Sequence, residues 1–274
     1  MGATTDIGPA QADAGADPAA RQPQRTQERE QAPVRFDHVF KSFQNKKVLQ
    51  DVSFQIAPGE AFCLLGRSGM GKSVTLKLMI GLLKPDRGGI FIHGTNLADA
   101  DNVTLNKIRT SVGFLFQGAG LFDSLTVGEN VAFPLRRHTR KSNQEIRSIV
   151  QQKLKAVELE KELNTMPSDL SGGMRKRVGL ARALSLDPNI LLVDEPSSGL
   201  DRITATEIYR LLLRLKKNRN VTLVAVTHDA MGARTFGDRF AVLDRGSIVA
   251  CGSFEEVEKS ENSLVRELAA GSET

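Results

Sequence analysis

Eight residues at 66–73, GRSGMGKS, have the residue types and the spacing of a phosphate-binding loop. Its glycines lack the Cβ atoms that would clash or forbid positive φ, so the backbone N–H groups can turn inward around phosphate oxygens. Lys72 can then reach the β- and γ-phosphates of a nucleotide, and the hydroxyl of Ser73 can bind Mg²⁺. The residues predicted to contact the nucleotide here are Gly66, Arg67, Ser68, Gly69, Met70, Gly71, Lys72, Ser73 and Val74.

The segments on either side of this loop favour a nucleoside triphosphate site over an ordinary glycine-rich turn. The apolar run AFCLL at 61–65 reads as a strand, and apolar residues recur at helical spacing over 74–83. The loop therefore leads into a helix N-terminus, whose partial positive charge attracts phosphate.

Two carboxylates end a second apolar strand, ILLVDE at 190–195. Asp194 at the strand tip can hold Mg²⁺ through water, and Glu195 can orient and polarise the water that attacks the γ-phosphate. A further apolar strand at 221–226 runs into His228, which is suited to a hydrogen bond with the same phosphate. Together these residues predict hydrolysis of the bound nucleotide.

Two polar or aromatic residues are weaker candidates for the same site. Gln117 follows the apolar strand at 112–116 and can reach Mg²⁺ or the attacking water if that strand lies beside the strand before the phosphate loop. Phe43 ends an early strand, about where an aromatic ring can stack on adenine. The alternative for Phe43 is an ordinary strand aromatic.

A second helix start with anion-binding character lies in DLSGGM, at 169–174. Ser171 is suited to cap the helix, and the two glycines after it expose backbone N–H groups. The residues of this group, with the aspartate that ends the later SGLD loop, are Ser171, Gly172, Gly173 and Asp201.

The elements that must position these residues follow from the patterning of the chain. Two alternating runs at 34–43 and 48–56 predict antiparallel strands before the loop, and 118–185 reads as a helical insert. Ser-or-Thr to Glu capping boxes begin two of its helices, at Thr126 and at Ser142. The basic stretch RRHTRK at 136–141 between them reads as a solvated loop, with contact to anionic lipid headgroups as the alternative.

The composition of the chain does not identify a function, but it limits the class of protein. The chain has 274 residues, 40% of them hydrophobic and 25% charged, with a net charge of +5 that suits several anionic partners. Residues 1–33 hold no aromatic residue, so we expect a disordered tail, with neither a signal peptide nor a membrane-spanning run. Cys63 and Cys251 sit in apolar runs and are expected to be buried free thiols, as suits a reducing cytoplasm.

Taken in order, GRSGMGKS, Gln117, LSGGM, ILLVDE, SGLD and His228 resemble the ATP-binding subunit of ABC transporters over residues 34–270. The LSGGM segment carries this resemblance, and FQGAGLFDSLTVGENVAFPL extends it to the ATPases of MCE-type lipid transporters that maintain lipid asymmetry. Departures from the common pattern remove no ligand group; they are Arg67, Met70, Met174 and Ser197.

The resemblance implies a fold, cofactors and site residues. It implies an α/β P-loop NTPase (RecA-like) core with an antiparallel β subdomain and an inserted α-helical subdomain, all within an ATP-binding domain over 34–274. ATP and Mg²⁺ are the implied cofactors. The expected catalytic residues are Lys72, Gln117, Glu195 and His228. The expected metal-binding residues are Ser73, Gln117 and Asp194, and Phe43 and Asp201 join the nucleotide contacts.

The resemblance also implies partners. In a head-to-tail homodimer, each ATP would lie between one phosphate loop and the Ser-Gly-Gly segment of the other copy. The dimer would dock beneath integral-membrane permease subunits on the cytoplasmic face of the inner membrane, with an MCE substrate-binding protein and a small regulatory subunit as further candidates, and no nucleic acid. We expect Leu121 and Phe122, in an apolar segment with Leu125 and Val127, to line the groove for the permease; the alternative is packing within the insert.

Four other classes fit less well. A small-molecule P-loop kinase would lack LSGGM, and a DNA-repair ATPase of ABC type would need a long heptad insert. A Rossmann dehydrogenase would need a third glycine where Asp123 stands. A translation ABC protein normally carries two cassettes. An ABC ATPase that energises a different substrate, in a solute importer or exporter, stays open.

Overall fold

The structure, a computed structural model, describes residues 32–219 and 221–271. The expected tail at 1–33 therefore lies almost wholly outside the described residues. Its last two residues differ from the expectation, because Ala32 and Pro33 are buried and the carbonyl of Pro33 accepts a hydrogen bond from the N–H of His93. The folded domain thus includes these two residues.

A six-stranded sheet forms the centre of the chain, with strand order β10-β9-β3-β8-β7-β6. All neighbouring pairs are parallel except the hairpin of β9 and β10 at one edge. The three central strands are buried at every residue, as expected for a sheet covered on both faces. The strands are β3 (Ala61–Leu65), β6 (Val112–Leu115), β7 (Ile190–Asp194), β8 (Thr222–Thr227), β9 (Arg239–Asp244) and β10 (Ser247–Gly252).

The strand order shows that β6, which precedes Gln117, does not lie beside the strand before the phosphate loop, as the role of Gln117 was expected to require. Strand β6 pairs with β7, and two strands separate it from β3, which precedes the phosphate loop. Strand neighbours cannot be read from one sequence when the connections are long crossovers. The functional residues still meet, because parallel strands bring their carboxyl ends to one edge of the sheet.

A smaller antiparallel sheet lies beside the first, and the predicted early hairpin is confirmed. Stacked rings of Phe36, Phe54 and Phe62 join the two sheets, with centroids 4.6 and 5.0 Å apart. This packing anchors the open end of the hairpin on the main sheet, and Phe43 lies at the other end, beside the turn. The strand order is β2-β1-β4-β5, with β1 (Val34–Phe43), β2 (Lys46–Ile56), β4 (Arg87–Ile92) and β5 (Thr95–Asn96).

Helices cover the main sheet and form the insert. Both predicted capping boxes are present, at Thr126 with Glu129 and at Ser142 with Glu145. The helix after the phosphate loop ends before residue 83, because the chain turns at Gly81, whose φ is +63°. The helices are α1 (Lys72–Met79), α2 (Asn102–Ser111), α3 (Val127–His138), α4 (Asn143–Ala156), α5 (Gly172–Ala183), α6 (Arg202–Arg219), α7 (Ala230–Ala233), α8 (Phe254–Glu258) and α9 (Ser263–Ala269).

The two cysteines differ in exposure. Cys63 is buried, and burial raises the pKa of its thiol. The expectation of a buried thiol is wrong for Cys251, which is exposed because β10 is an edge strand. None of the helices within the described residues has the length and apolar character needed to cross a bilayer.

Candidate functional site

The phosphate loop leaves β3 and needs glycine at three positions for two different reasons. A Cβ at Gly66 would lie 2.6 Å from the carbonyl oxygen of Leu243, so only glycine allows this close backbone approach. Gly69 and Gly71 instead have φ of +80° and +104°, in the left-handed region that other residues rarely adopt. Gly71 also caps α1, so the loop presents backbone N–H groups at a helix N-terminus.

A cavity of about 520 Å³ opens over this loop and is lined by half of the predicted site residues. Three predicted members of the loop do not line it. The side chain of Arg67 instead pairs with Glu267 on α9 at 2.9 Å, and Gly66 and Met70 contribute no lining surface. The cavity is lined by Phe43, Lys46, Val48, Ser68, Gly69, Gly71, Lys72, Ser73, Val74, Gln117 and Glu195.

Lys46 and Val48 are the lining residues that sequence reasoning missed. Both follow the hairpin turn after Phe43, so the same strand ends that bring the aromatic ring also bring these two side chains. The sequence could have indicated them, because residues that follow a tight turn lie close in space to the residues that precede it, here Phe43.

Lys72 is the cation at the floor of the cavity. Its side chain is 5% exposed, and its ammonium donates a hydrogen bond to the carbonyl of Gly66 at 2.7 Å. The same Nζ lies 3.2 Å from Oε1 of Glu195. The ammonium is thus held between the loop backbone and the carboxylate, where it can meet phosphate oxygens.

Ser73 and Asp194 supply oxygen atoms suited to Mg²⁺. The Ser73 hydroxyl donates to Oδ1 of Asp194 at 2.9 Å, which joins the start of α1 to the end of β7. Burial raises the pKa of Asp194, while the hydrogen bond from Ser73 acts in the opposite direction. A hydroxyl and a carboxylate beside a phosphate-binding loop form the sparse, all-oxygen set that Mg²⁺ takes together with phosphate and water. The residues present therefore fit the cation.

Glu195 lines the cavity, and His228, just after β8, contacts its carboxylate without lining the cavity itself. Nδ1 of His228 lies 2.8 Å from Oε2 of Glu195, and the Glu195 side chain is 9% exposed. Glu195 has φ of +46°, a strained conformation for a residue with a Cβ. Its N–H donates to the carbonyl of Val226 on β8, which helps to hold that conformation.

Gln117 reaches the site from the outer strand β6. Its side chain lines the cavity, and its Nε2 donates to Oγ of Ser198 at 3.2 Å. Ser198 follows β7 and was not predicted as a partner. The Gln117 amide therefore lies at the cavity wall although β6 and β3 are not neighbouring strands.

The second anion-binding segment lies apart from the cavity. Ser171 caps α5 through a hydrogen bond from the N–H of Met174, and a Cβ at Gly173 would lie 2.4 Å from Cγ2 of Thr204. Asp201 begins α6 and accepts hydrogen bonds from the N–H groups of Ile203 and Thr204. None of the predicted residues of this group lines the cavity.

A buried tyrosine orients the loop that carries His228. The hydroxyl of Tyr209 donates to Oδ2 of Asp229 at 2.6 Å, and Oδ1 of the same carboxylate accepts from the N–H of Gly232. A Cβ at Gly232 would lie 2.0 Å from the Tyr209 ring, so the fit is close. Sequence reasoning missed this pair, because Tyr209 lies on the apolar face of α6 and gives no polar signal.

A second cavity of about 320 Å³ opens beside the helical insert. The rings of Phe122 and Phe133 pack at 4.7 Å and are 43% exposed each. Arg182 donates to the carbonyls of Ala119 and Gly120 and so holds the rim. This cavity, which we call the aromatic groove, is lined by Arg109, Thr110, Val112, Gly113, Phe114, Phe116, Gly120, Phe122, Phe133, Pro134, His138, Arg182, Ala183, Ser185 and Leu186.

The expectation for Leu121 is wrong, and that for Phe122 is compatible with the groove. Leu121 is partly buried against the main core, and Val127 is fully buried there. The side chain of Asn130 causes this arrangement, since it bonds the backbone N–H and C=O of Phe122 and the carbonyl of Leu125. The segment is thereby turned so that Leu121 faces inward and Phe122 outward.

Replacing Phe43 by alanine is expected to raise the KM for ATP about fivefold with little change in kcat, because a ring stack contributes about 1 kcal/mol. Phe43 is 42% exposed at the rim of the cavity, with the Lys41 ammonium 5.3 Å from its ring centroid. Steady-state ATPase kinetics measure the effect, and Phe40→Ala, a ring under Arg87 that does not line the cavity, is the control. An unchanged KM with a lower melting temperature would instead make Phe43 a core residue.

Comparison with known proteins agrees with this geometry. Residues 49–198 match the family model described as ABC transporter. The chain is 45% identical over 231 residues to the probable ribonucleotide transport ATP-binding protein mkl of Mycobacterium leprae, an alignment that covers 84% of this chain and 67% of that protein. In further mycobacterial relatives of the same description, the alignment covers 64% of the relative's length, so this chain spans about two thirds of those proteins.

Two other matches bear on the site. The chain is 35% identical to the intermembrane phospholipid transport system ATP-binding protein MlaF of Haemophilus influenzae, over 83% of this chain and 86% of that one. A solved dimer of the ATP-binding cassette MJ0796, bound to ADP and Pi, superposes with a TM-score of 0.75 at 37% identity. It covers 80% of this chain and 98% of that one.

Proposed function

The chain belongs to the ABC transporter family as an ATP-binding subunit that uses ATP with Mg²⁺, and we propose that it powers the movement of phospholipid or another lipid with an MCE-type permease. The observation that carries the lipid assignment is the match to the phospholipid transport protein MlaF over most of both chains. The aromatic groove agrees with it as a docking site for a membrane subunit.

The chemistry we propose divides the cavity into binding and hydrolysis. The loop N–H groups and Lys72 hold the β- and γ-phosphates, and Phe43 stacks on the base. Ser73, Asp194 and Gln117 would hold Mg²⁺, which would neutralise negative charge on the phosphates when bound. Glu195 takes the proton of the water whose oxygen bonds to the γ-phosphorus, and the bond from that phosphorus to the β–γ bridging oxygen breaks, so that ADP leaves. His228 donates a hydrogen bond to the γ-phosphate, and the contact between the Glu195 and His228 side chains holds both in place.

ABC ATPases dimerise and work with membrane permease subunits, and we propose the head-to-tail homodimer for this chain. The Ser-Gly-Gly start of α5 and Asp201 do not line the cavity of their own chain. In the dimer they would close over the ATP of the partner copy, with the α5 N-terminus facing its γ-phosphate. The domain we propose begins at Ala32, two residues before the expected bound of 34, and contains the helical insert at 118–185.

The aromatic groove is the surface we assign to a coupling helix of the permease. Its lining combines apolar and aromatic side chains with the basic Arg109 and Arg182, so a helix with an aromatic anchor and an acidic flank would fit it. The chain would then be peripheral at the cytoplasmic face of the inner membrane. Within the same proposal, an MCE protein would deliver the lipid and a small regulatory subunit would bind the C-terminal helices.

Serine at both Phe122 and Phe133 is expected to abolish co-purification with the membrane subunits and lipid transport, while the isolated chain keeps its basal ATPase activity. Both rings are 43% exposed in the groove and lie outside the ATP cavity, so the change should leave the residues of the ATP site in place. Leu82→Ser with Val103→Ser is the control, since these two apolar residues are 55% and 62% exposed and lie outside the groove. Retained complex and transport would contradict the assignment of the groove.

Lipid analysis of the purified membrane complex tests the transported class. We expect phospholipid to co-purify with the complex and to raise its ATPase activity. A solute transporter is the second candidate, because the mycobacterial relative is named for ribonucleotide transport. Stimulation by ribonucleotides and not by phospholipid would favour that candidate.

A further inference from the structure

We infer that Lys176 is a positioning residue for ATP hydrolysis, which holds the backbones of Gln117 and Glu195 with one buried ammonium group. The inference rests on the proposed roles of these two residues at the γ-phosphate. Lys176 lies on α5, outside the cavity, and touches neither nucleotide nor metal in the proposed site. It acts through the two residues whose carbonyls it contacts.

The contacts of Lys176 join three segments of the chain. Its Nζ donates a short hydrogen bond to the carbonyl of Gln117, after β6, and a second of 3.0 Å to the carbonyl of Glu195, after β7. Both residues line the ATP cavity with their side chains. One ammonium therefore fixes the backbone at the two strand ends that carry these side chains.

The need for such a contact is clearest at Glu195. Its φ of +46° is strained for a residue with a Cβ, and the strain persists only if surrounding contacts hold it. The N–H of Glu195 donates to Val226 and its carbonyl accepts from Lys176, so the backbone is held from both sides. This conformation aims the carboxylate at Lys72 and His228.

Close packing of α5 brings the ammonium to this place. A Cβ at Gly179 would lie 2.9 Å from Cδ1 of Leu115, and a Cβ at Gly113 would lie 2.5 Å from the carbonyl of Ala183. Helix and strand end thus approach each other as only glycine allows. The approach places Lys176 under the loop that begins at Gln117.

Burying the ammonium group of Lys176 costs free energy, so this side chain does more than fill space in the core. Lys176 is 5% exposed, and its hydrogen-bond partners at the ammonium are carbonyl oxygens. Burial lowers the pKa of Lys176, which the charges of Asp194 and Glu195 oppose. A methionine would fill the same space without desolvating a charge.

The first turn of α5 holds the Ser-Gly-Gly segment that is proposed to face the ATP of the partner copy, and Lys176 lies on the same helix. A shift of α5 on closure of the dimer would therefore reach the carbonyls of Gln117 and Glu195 directly. Lys176 thus links the helical insert to the hydrolysis machinery of its own chain.

The test is ATPase kinetics of the full chain with Lys176→Met, Lys176→Gln and Lys176→Ala. We expect kcat to fall about tenfold to a hundredfold in the Met and Ala variants, as charge-assisted hydrogen bonds are lost, with the Kd for ATP within about twofold of the unmodified chain. The Gln variant keeps donors and should lie between them and the unmodified chain. The Ala variant decides the matter if the Met variant does not fold.

Lys153→Met is the matched control, because Lys153 is a buried lysine on α4 that pairs with Asp187, away from the cavity. It should lower thermal stability and leave kcat per folded chain unchanged. An unchanged kcat in Lys176→Met or Lys176→Ala, or a loss that only follows the folded fraction as for Lys153→Met, would overturn the proposal. Glu195→Gln in the same assay separates the two failures, since an active Glu195→Gln contradicts the role of Glu195 itself.

Discussion

Glutamine at position 195 is expected to slow ATP hydrolysis about 100- to 10,000-fold, the range of a general base, while ATP binding persists. The amide keeps the shape of the Glu195 side chain but cannot accept the proton of the attacking water. Its one oxygen can keep the contact with the Lys72 ammonium, which lies 3.2 Å from Oε1, while the NH2 group takes the place of Oε2, 2.8 Å from Nδ1 of His228, and can donate to that nitrogen. The loss should therefore appear in kcat and not in the Kd for ATP.

Single-turnover hydrolysis and equilibrium ATP binding measure the two quantities separately. Glu207→Gln, which removes a carboxylate paired with Arg177 on the surface, is the control and should keep the normal kcat. Because ATP is bound and not cleaved, the Glu195→Gln chain should also accumulate as an ATP-loaded dimer on size exclusion. Turnover at the normal rate would show that another group is the general base.

Alanine at position 72 is expected to weaken ATP binding itself, by about tenfold to a hundredfold, because the lost hydrogen bonds to phosphate involve a charged donor. Lys72 is the buried cation between the loop carbonyls and Glu195, so its removal also leaves that carboxylate facing the phosphates without compensation. Both effects raise the Kd.

Titration calorimetry with ATP and Mg²⁺ measures the change. Lys84→Ala removes an exposed lysine shortly after α1 and should leave the Kd as it was. Equal ATP affinity in the Lys72→Ala chain and the unmodified chain would contradict the phosphate-binding role of the loop lysine.

Local patterns predicted those parts of the fold that depend on neighbours in the chain. The capping boxes at Thr126 and Ser142, the early hairpin and the buried strand that ends at Asp194 all appear where residue types required them. The glycines of the phosphate loop are explained one by one by φ or by a close carbonyl.

Features that depend on the order of elements in space were out of reach. The position of β6 beside β7 comes from long crossovers, and the exposure of Cys251 comes from the edge position of β10. Leu121 faces inward because one buried side chain, Asn130, turns its segment. Helix α2 was missed, although Asp101 caps it through the N–H of Thr104.

ATP-driven lipid transfer tests the central claim most directly, measured in proteoliposomes that hold the chain with the membrane subunits that co-purify with it. We predict that labelled phospholipid moves only when ATP and Mg²⁺ are present, and that the same complex with Glu195→Gln binds ATP and moves none. ATP hydrolysis that drives uptake of a ribonucleotide or another solute, with phospholipid left in place, would contradict the claim.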